Sequence, residues 1–66
     1  MFISFETVNA SVILRATDIE KIYLVDDSNE FYIYFKNSDV EHFYFGDYVA
    51  AKAQFNSIMK QMRGEY

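Results

Sequence analysis

The chain has no cysteine, no proline and only two glycines. Without cysteine it can form neither a disulfide nor a thiolate metal site, and this lack also fits a reducing compartment. A domain of 66 residues buries only about 60% of the surface its unfolded chain exposes. With the disulfide staple gone, stability rests on close packing or on self-association. No apolar run is long enough to span a bilayer, and no charged N-terminal region precedes a long apolar one. The expectation is therefore a cytoplasmic protein with no membrane partner. Positive charge is also scarce. Six Lys and Arg stand against ten Asp and Glu, a net charge of −4. That balance opposes binding a long nucleic acid, although it allows a local basic patch.

Chemistry-bearing motifs are equally thin. The single histidine, His42, has no nucleophile partner in a Ser-His-Asp sense. Glu41 and His42 are neighbours on a strand, so they point to opposite faces and cannot share an ion. The run Asp26-Asp27-Ser28-Asn29-Glu30 is rich in oxygen but lacks the spacing and glycine of a calcium loop. No glycine-rich phosphate loop occurs. A paired-carboxylate hydrolase needs a cleft, for which a sheet with one helix leaves little room. Met59 and Met62 read as core filler. The expectation is a protein that is not an enzyme and takes no cofactor and no metal.

What the chain has in abundance is aromatic residues, 20% of the total, within a hydrophobic content of 52% that excludes disorder. Eight of them fall between Glu30 and Tyr48. Alternating polarity predicts strands at about 2–8, 11–16, 21–26, 31–36 and 40–45, separated by polar breaks at Asn9, Thr17–Glu20, Asp27–Asn29 and Asn37–Asp39. Ile19 reads as a plug beneath the sheet, inside a single turn. From Tyr48 the period changes: Ala51, Phe55, Ile58, Met59 and Met62 form one stripe of a helix over about 47–63. Asp47 suits its N-cap, Lys60 and Arg63 suit its C-terminal dipole, and Gly64 suits its end. The fold class expected is α+β: one domain over residues 1–66, an antiparallel five-stranded meander with the helix on one face.

The helix needs an apolar partner face. Val12, Leu14, Ile22, Leu24, Phe31, Ile33, Phe35, Phe43 and Phe45 supply it, with Ile3 and Phe5. Burial of each large side chain is worth roughly 1.5–3 kcal/mol. The two-residue period of a strand then fixes what lies outside. The expected outer face holds Arg15, Lys21, Tyr23, Tyr32, Tyr34, Lys36, His42 and Tyr44, along with Val25 and Val40. An acidic chain thus presents a tyrosine-rich, mildly basic surface.

Tyrosine on a solvated face can reflect β-propensity alone. It also suits an interface, since it combines large contact area with a polar tip. A third use is stacking: Tyr32, Tyr34 and Tyr44 would receive a base or small nucleotide while Arg15, Lys21 and Lys36 meet phosphate. The favoured expectation is a self-associating protein-binding module, through paired faces or edge strands. The alternative is a binder of nucleotides or short single strands.

Three segments carry a family likeness: Ile19-Glu20-Lys21-Ile22-Tyr23 entering a strand, Phe43-Tyr44-Phe45-Gly46-Asp47-Tyr48, and the helix AAKAQFNSIMKQM. Together they resemble very small sheet-plus-helix proteins of Firmicutes and their phages. The resemblance implies an inhibitor or accessory factor that acts on a host protein or sequesters a nucleotide signal. It implies no particular functional residue, and the tyrosine density exceeds what it leads one to expect.

Overall fold

A computed structural model describes residues 1–64 of the chain. Alternation builds the N-terminal hairpin, β1 (Phe2–Glu6) and β2 (Ser11–Arg15). Its register sets Ile3 against Leu14 and Phe5 against Val12, and these four turn inward. Phe2, Ser4, Ile13 and Arg15 take the outer side and are exposed. A second sheet follows, made of β3 (Ile19–Leu24), β4 (Glu30–Phe35) and β5 (Val40–Tyr44), antiparallel with β4 in the middle. The chain closes with α1 (Tyr48–Met62).

The five strands thus make two sheets, of two and three strands, rather than one meander. Two physical causes separate them. The link from β2 to β3 is a 3-10 turn, Ala16–Asp18, which carries no glycine or asparagine to fold β3 back along β2. The outer edge of β1, the one that faces β5 and could have joined the two sheets there, is also occupied, by the helix. Gln61 and Gln54 bond the backbone of Ser4 and Glu6 there. Past the end of β1, Val8 N–H donates to the Tyr44 carbonyl of β5 at 3.3 Å.

Ile19 is a strand residue rather than a plug within a turn. It pairs with Phe35 while Lys21 pairs with Tyr34, so Glu20 is an extra residue in β3. Such a bulge changes the side to which the chain points. Ile19 shares its parity with the exposed Lys21 and Tyr23, yet it is buried. From Lys21 onward the simple alternation holds, with Ile22 and Leu24 packed inward.

All eleven residues expected in the sheet's inner layer lie in the core or pack against it. Phe31 is its centre. Its ring meets Phe5 at 5.4 Å, Phe45 at 4.7 Å and Phe55 of the helix at 6.4 Å, and Phe5 meets Phe43 edge-on at 5.0 Å. Such pairs add about 0.5–1.5 kcal/mol each beyond area burial. Phe5 therefore joins the hairpin to the second sheet without backbone pairing. Helix α1 buries Ala51 and Ile58. The Asp47 carboxylate caps it, accepting from Ala50 N–H at 2.8 Å, and Gly64 ends it at φ +79°. Among the described residues no helix is long and apolar enough to cross a membrane.

Candidate functional site

With Phe31 and Ile33 committed to the core, the intervening side chains of β4 must face away from it. Tyr32 and Tyr34 do so, each half-buried. The ladders on either side of β4 place its neighbours in rows. Lys21, Tyr34 and Val40 form one row across β3, β4 and β5, and Tyr23, Tyr32 and His42 form the next. Glu30 and Tyr44 continue the face at its end. Tyr23 and Tyr44 are 50% and 52% exposed. Six of the eight expected site residues thus share this surface: Lys21, Tyr23, Tyr32, Tyr34, His42 and Tyr44.

The rings are organised rather than scattered. Tyr23 and Tyr34 meet edge to face at 5.5 Å. The Lys21 ammonium lies over both, 5.2 Å from the Tyr23 centroid and 4.9 Å from that of Tyr34. A cation at that distance is held by the negative face of each ring. Tyr32 stacks, tilted, on His42 at 4.4 Å, and its hydroxyl donates to Glu30 Oε1 at 3.1 Å. That hydrogen bond, and then the negative charge of Glu30, raise the Tyr32 phenol above its ordinary value, because ionisation would remove the donor and bring two anions together.

Two expected members lie elsewhere. Arg15 stands opposite Phe2 on the outer side of the β1–β2 hairpin, in the other sheet. Parity alone put it with the tyrosines, and parity cannot report that the sheet is divided. Lys36 falls just past the end of β4, where its N–H donates to the Asp18 carbonyl. There it lines an open hollow of about 820 Å³ with Asp18, Asn37, Asp39 and Glu41. Three carboxylates around one ammonium repel a phosphate.

Glu30 is the residue that the sequence reading overlooked. It shares the parity of Tyr32 and Tyr34, one step before Phe31, and that was its signal. The face is open, aromatic and hydroxyl-tipped, with one cation, one histidine and one carboxylate. Among the described residues no three His, Asp or Glu side chains gather as a metal site requires. Its chemistry is contact: broad rings that lose little conformational freedom, with polar tips that tolerate water.

Compared with protein-family models, with curated proteins and with solved structures, the chain matches none of them.

Proposed function

We propose that the chain is a small, non-enzymatic protein-binding module that self-associates and presents the tyrosine face of β3–β5 to a second protein. The observation that carries this reading is the pre-set aromatic surface: Tyr23 and Tyr34 locked edge to face under Lys21, and Tyr32 stacked on His42. Side chains already ordered before contact lose less entropy on binding. Tyrosine is also enriched at interfaces and among the residues that dominate their energies. The resemblance to small Firmicutes and phage proteins supports a role as an inhibitor or accessory factor on a host protein.

The other reading, a nucleotide or short single-strand binder, draws support from the same stacked rings. It is weakened by the cations. Of the three that were to meet phosphate, Arg15 lies in the other sheet and Lys36 sits among acids. Lys21 alone remains on the face. A panel of mononucleotides and dinucleotides that leaves the melting temperature unchanged removes this reading.

The test of the first reading compares what immobilised chains retain from cells that carry the gene. The chains are the wild type, the exposed-face variant Tyr23→Ala/Tyr34→Ala/Tyr44→Ala, and Ile13→Lys as a control on the opposite sheet. A protein held by the wild type and by Ile13→Lys, and lost by the triple variant, supports the tyrosine face as the binding surface. Retention of the same proteins by all three chains, or of none by any, overturns it.

A further inference from the structure

The hairpin has one closed edge and one open edge. Thr7 N–H donates to the Ala10 carbonyl and Ala16 N–H to that of Met1. These bonds bracket the ladder, so odd residues of β1 bond even residues of β2: Ile3 with Leu14, and Phe5 with Val12. The remaining backbone groups of β1, those of Ser4 and Glu6, point the other way and are met by Gln61 and Gln54. By the same alternation, the N–H and C=O groups of Ser11, Ile13 and Arg15 point away from β1. Among the described residues no hydrogen bond reaches them, apart from the Arg15 carbonyl, which as N-cap of the 3-10 turn accepts that turn's first bond and keeps one lone pair open. The strand bearing them is regular, without a bulge, and Ile13 on it is 70% exposed.

The geometry points to a second copy of this chain as the occupant of that edge: β2 pairs antiparallel with β2 of its twin about a two-fold axis through Ile13. Only one register satisfies every free group. Ile13 faces Ile13 of the twin and Ser11 faces Arg15, so each outward N–H finds an outward C=O. Val12 then lies beside Leu14 of the twin on the core side, while the two Ile13 side chains touch on the outer side. The charges agree with this register. Glu6 is the cross-strand neighbour of Ser11, so in the pair the Arg15 side chain of one copy lies next to Ser11 and within reach of Glu6 of the other. The product is a four-stranded antiparallel sheet whose two outer edges are both closed by helix glutamines.

Two other edges are less suited: that of β5, whose Tyr44 carbonyl already accepts from Val8 N–H, and that of β3. Its bulge at Glu20 interrupts the row of outward groups, a feature that keeps edges from pairing. This inference deepens the reading of a self-associating module by naming the surface used. It leaves the tyrosine face free for the second protein.

Sedimentation equilibrium from micromolar to millimolar concentration tests it, together with amide hydrogen exchange. The wild type is expected to dimerise. With rising concentration the Ile13 and Arg15 amides gain protection, whereas the Val12 and Leu14 amides are protected throughout. Ile13→Lys places two ammonium groups together at the axis and weakens the dimer by more than about tenfold. Arg15→Glu weakens it too, and Glu6→Arg/Arg15→Glu restores it. Tyr34→Ala leaves it unchanged. A monomer across the whole range, a dimer indifferent to Ile13→Lys, or a dimer broken by Tyr34→Ala with Ile13 unprotected overturns the inference. Loss of partner retention in the triple tyrosine variant touches none of these readouts, so the two proposals fail separately.

Discussion

The side-chain amide of Gln61 bonds both backbone groups of Ser4. Gln61 Oε1 accepts from Ser4 N–H at 2.9 Å, and Gln61 Nε2 donates to the Ser4 carbonyl at 2.9 Å. The glutamine thus acts as a one-residue strand, giving β1 the two bonds that a neighbour in a sheet would give. Gln54, two turns earlier, repeats half of the contact by accepting from Glu6 N–H at 3.3 Å. Removing the amide frees two backbone groups at a partly hydrated edge. A hydrogen bond there is worth about 0.5–1.5 kcal/mol net. Gln61→Ala is expected to lower stability by about 1–2 kcal/mol in urea unfolding, with faster hydrogen exchange at the Ser4 amide. Unchanged exchange at Ser4 would show that the clamp does not form.

Much of the layout can be read from residue order, because it is local. Phe31, Ile33 and Phe35 alternate with Tyr32 and Tyr34, and no other arrangement of β4 buries the phenylalanines. The cap at Asp47 and the stop at Gly64 are equally local. The division into two sheets is not. It depends on which element reaches the outer edge of β1, and Gln54 and Gln61 lie some fifty residues away along the chain. Their seven-residue spacing puts them on one side of the helix, but nothing near them names Ser4 as the target. Arg15 was misplaced for the same reason. Glu30 was legible by parity and was lost to its position beside a turn.

The turn between β4 and β5 holds Ser38 at φ +76°. Ser38 N–H donates to the Phe35 carbonyl at 3.0 Å, and Phe35 N–H to that of Asp39 at 2.8 Å, so the left-handed residue is fixed by the ladder. A β-carbon in that conformation costs roughly 1–2 kcal/mol, which glycine does not incur, although glycine loses more freedom on folding. The balance favours Ser38→Gly by about 0.5–1 kcal/mol. In a domain of this size that raises the melting temperature by about 2–8 °C. A lower melting temperature would contradict the turn geometry.

Tyr32 donates to Glu30, and this bond together with the carboxylate charge raises its phenol above the ordinary value. The folded state therefore holds this proton more tightly than the unfolded chain does. The stabilisation is full below the unfolded phenol value of about 10 and is lost as pH rises through the higher folded value. In an alkaline titration followed by nuclear magnetic resonance, Tyr32 is expected to ionise after a free tyrosine would. Glu30→Gln removes the charge and brings the titration down. A Tyr32 curve that Glu30→Gln does not move would refute the pairing.

The bulge at Glu20 lets β3 carry one extra residue and still bury Ile19, which is 6% exposed and pairs with Phe35. Deleting Glu20 removes only that extra residue. Ile19 then directly precedes Lys21, and strict alternation puts it on the side of Ile22 and Leu24, opposite Phe35 where it already pairs. The deletion thus keeps Ile19 in the core and leaves the pairing of Lys21 to Leu24 unchanged. Ile19→Ala, in contrast, is expected to cost about 2–5 kcal/mol, as for an isoleucine whose cavity closes only in part. In urea unfolding the deletion is therefore expected to cost clearly less than Ile19→Ala. A deletion as costly as Ile19→Ala would mean that Ile19 leaves the core with the bulge, and that Glu20 is not the extra residue of β3. With Ile19 held inside in both chains, the use of the bulge lies at the free edge of β3, which it interrupts.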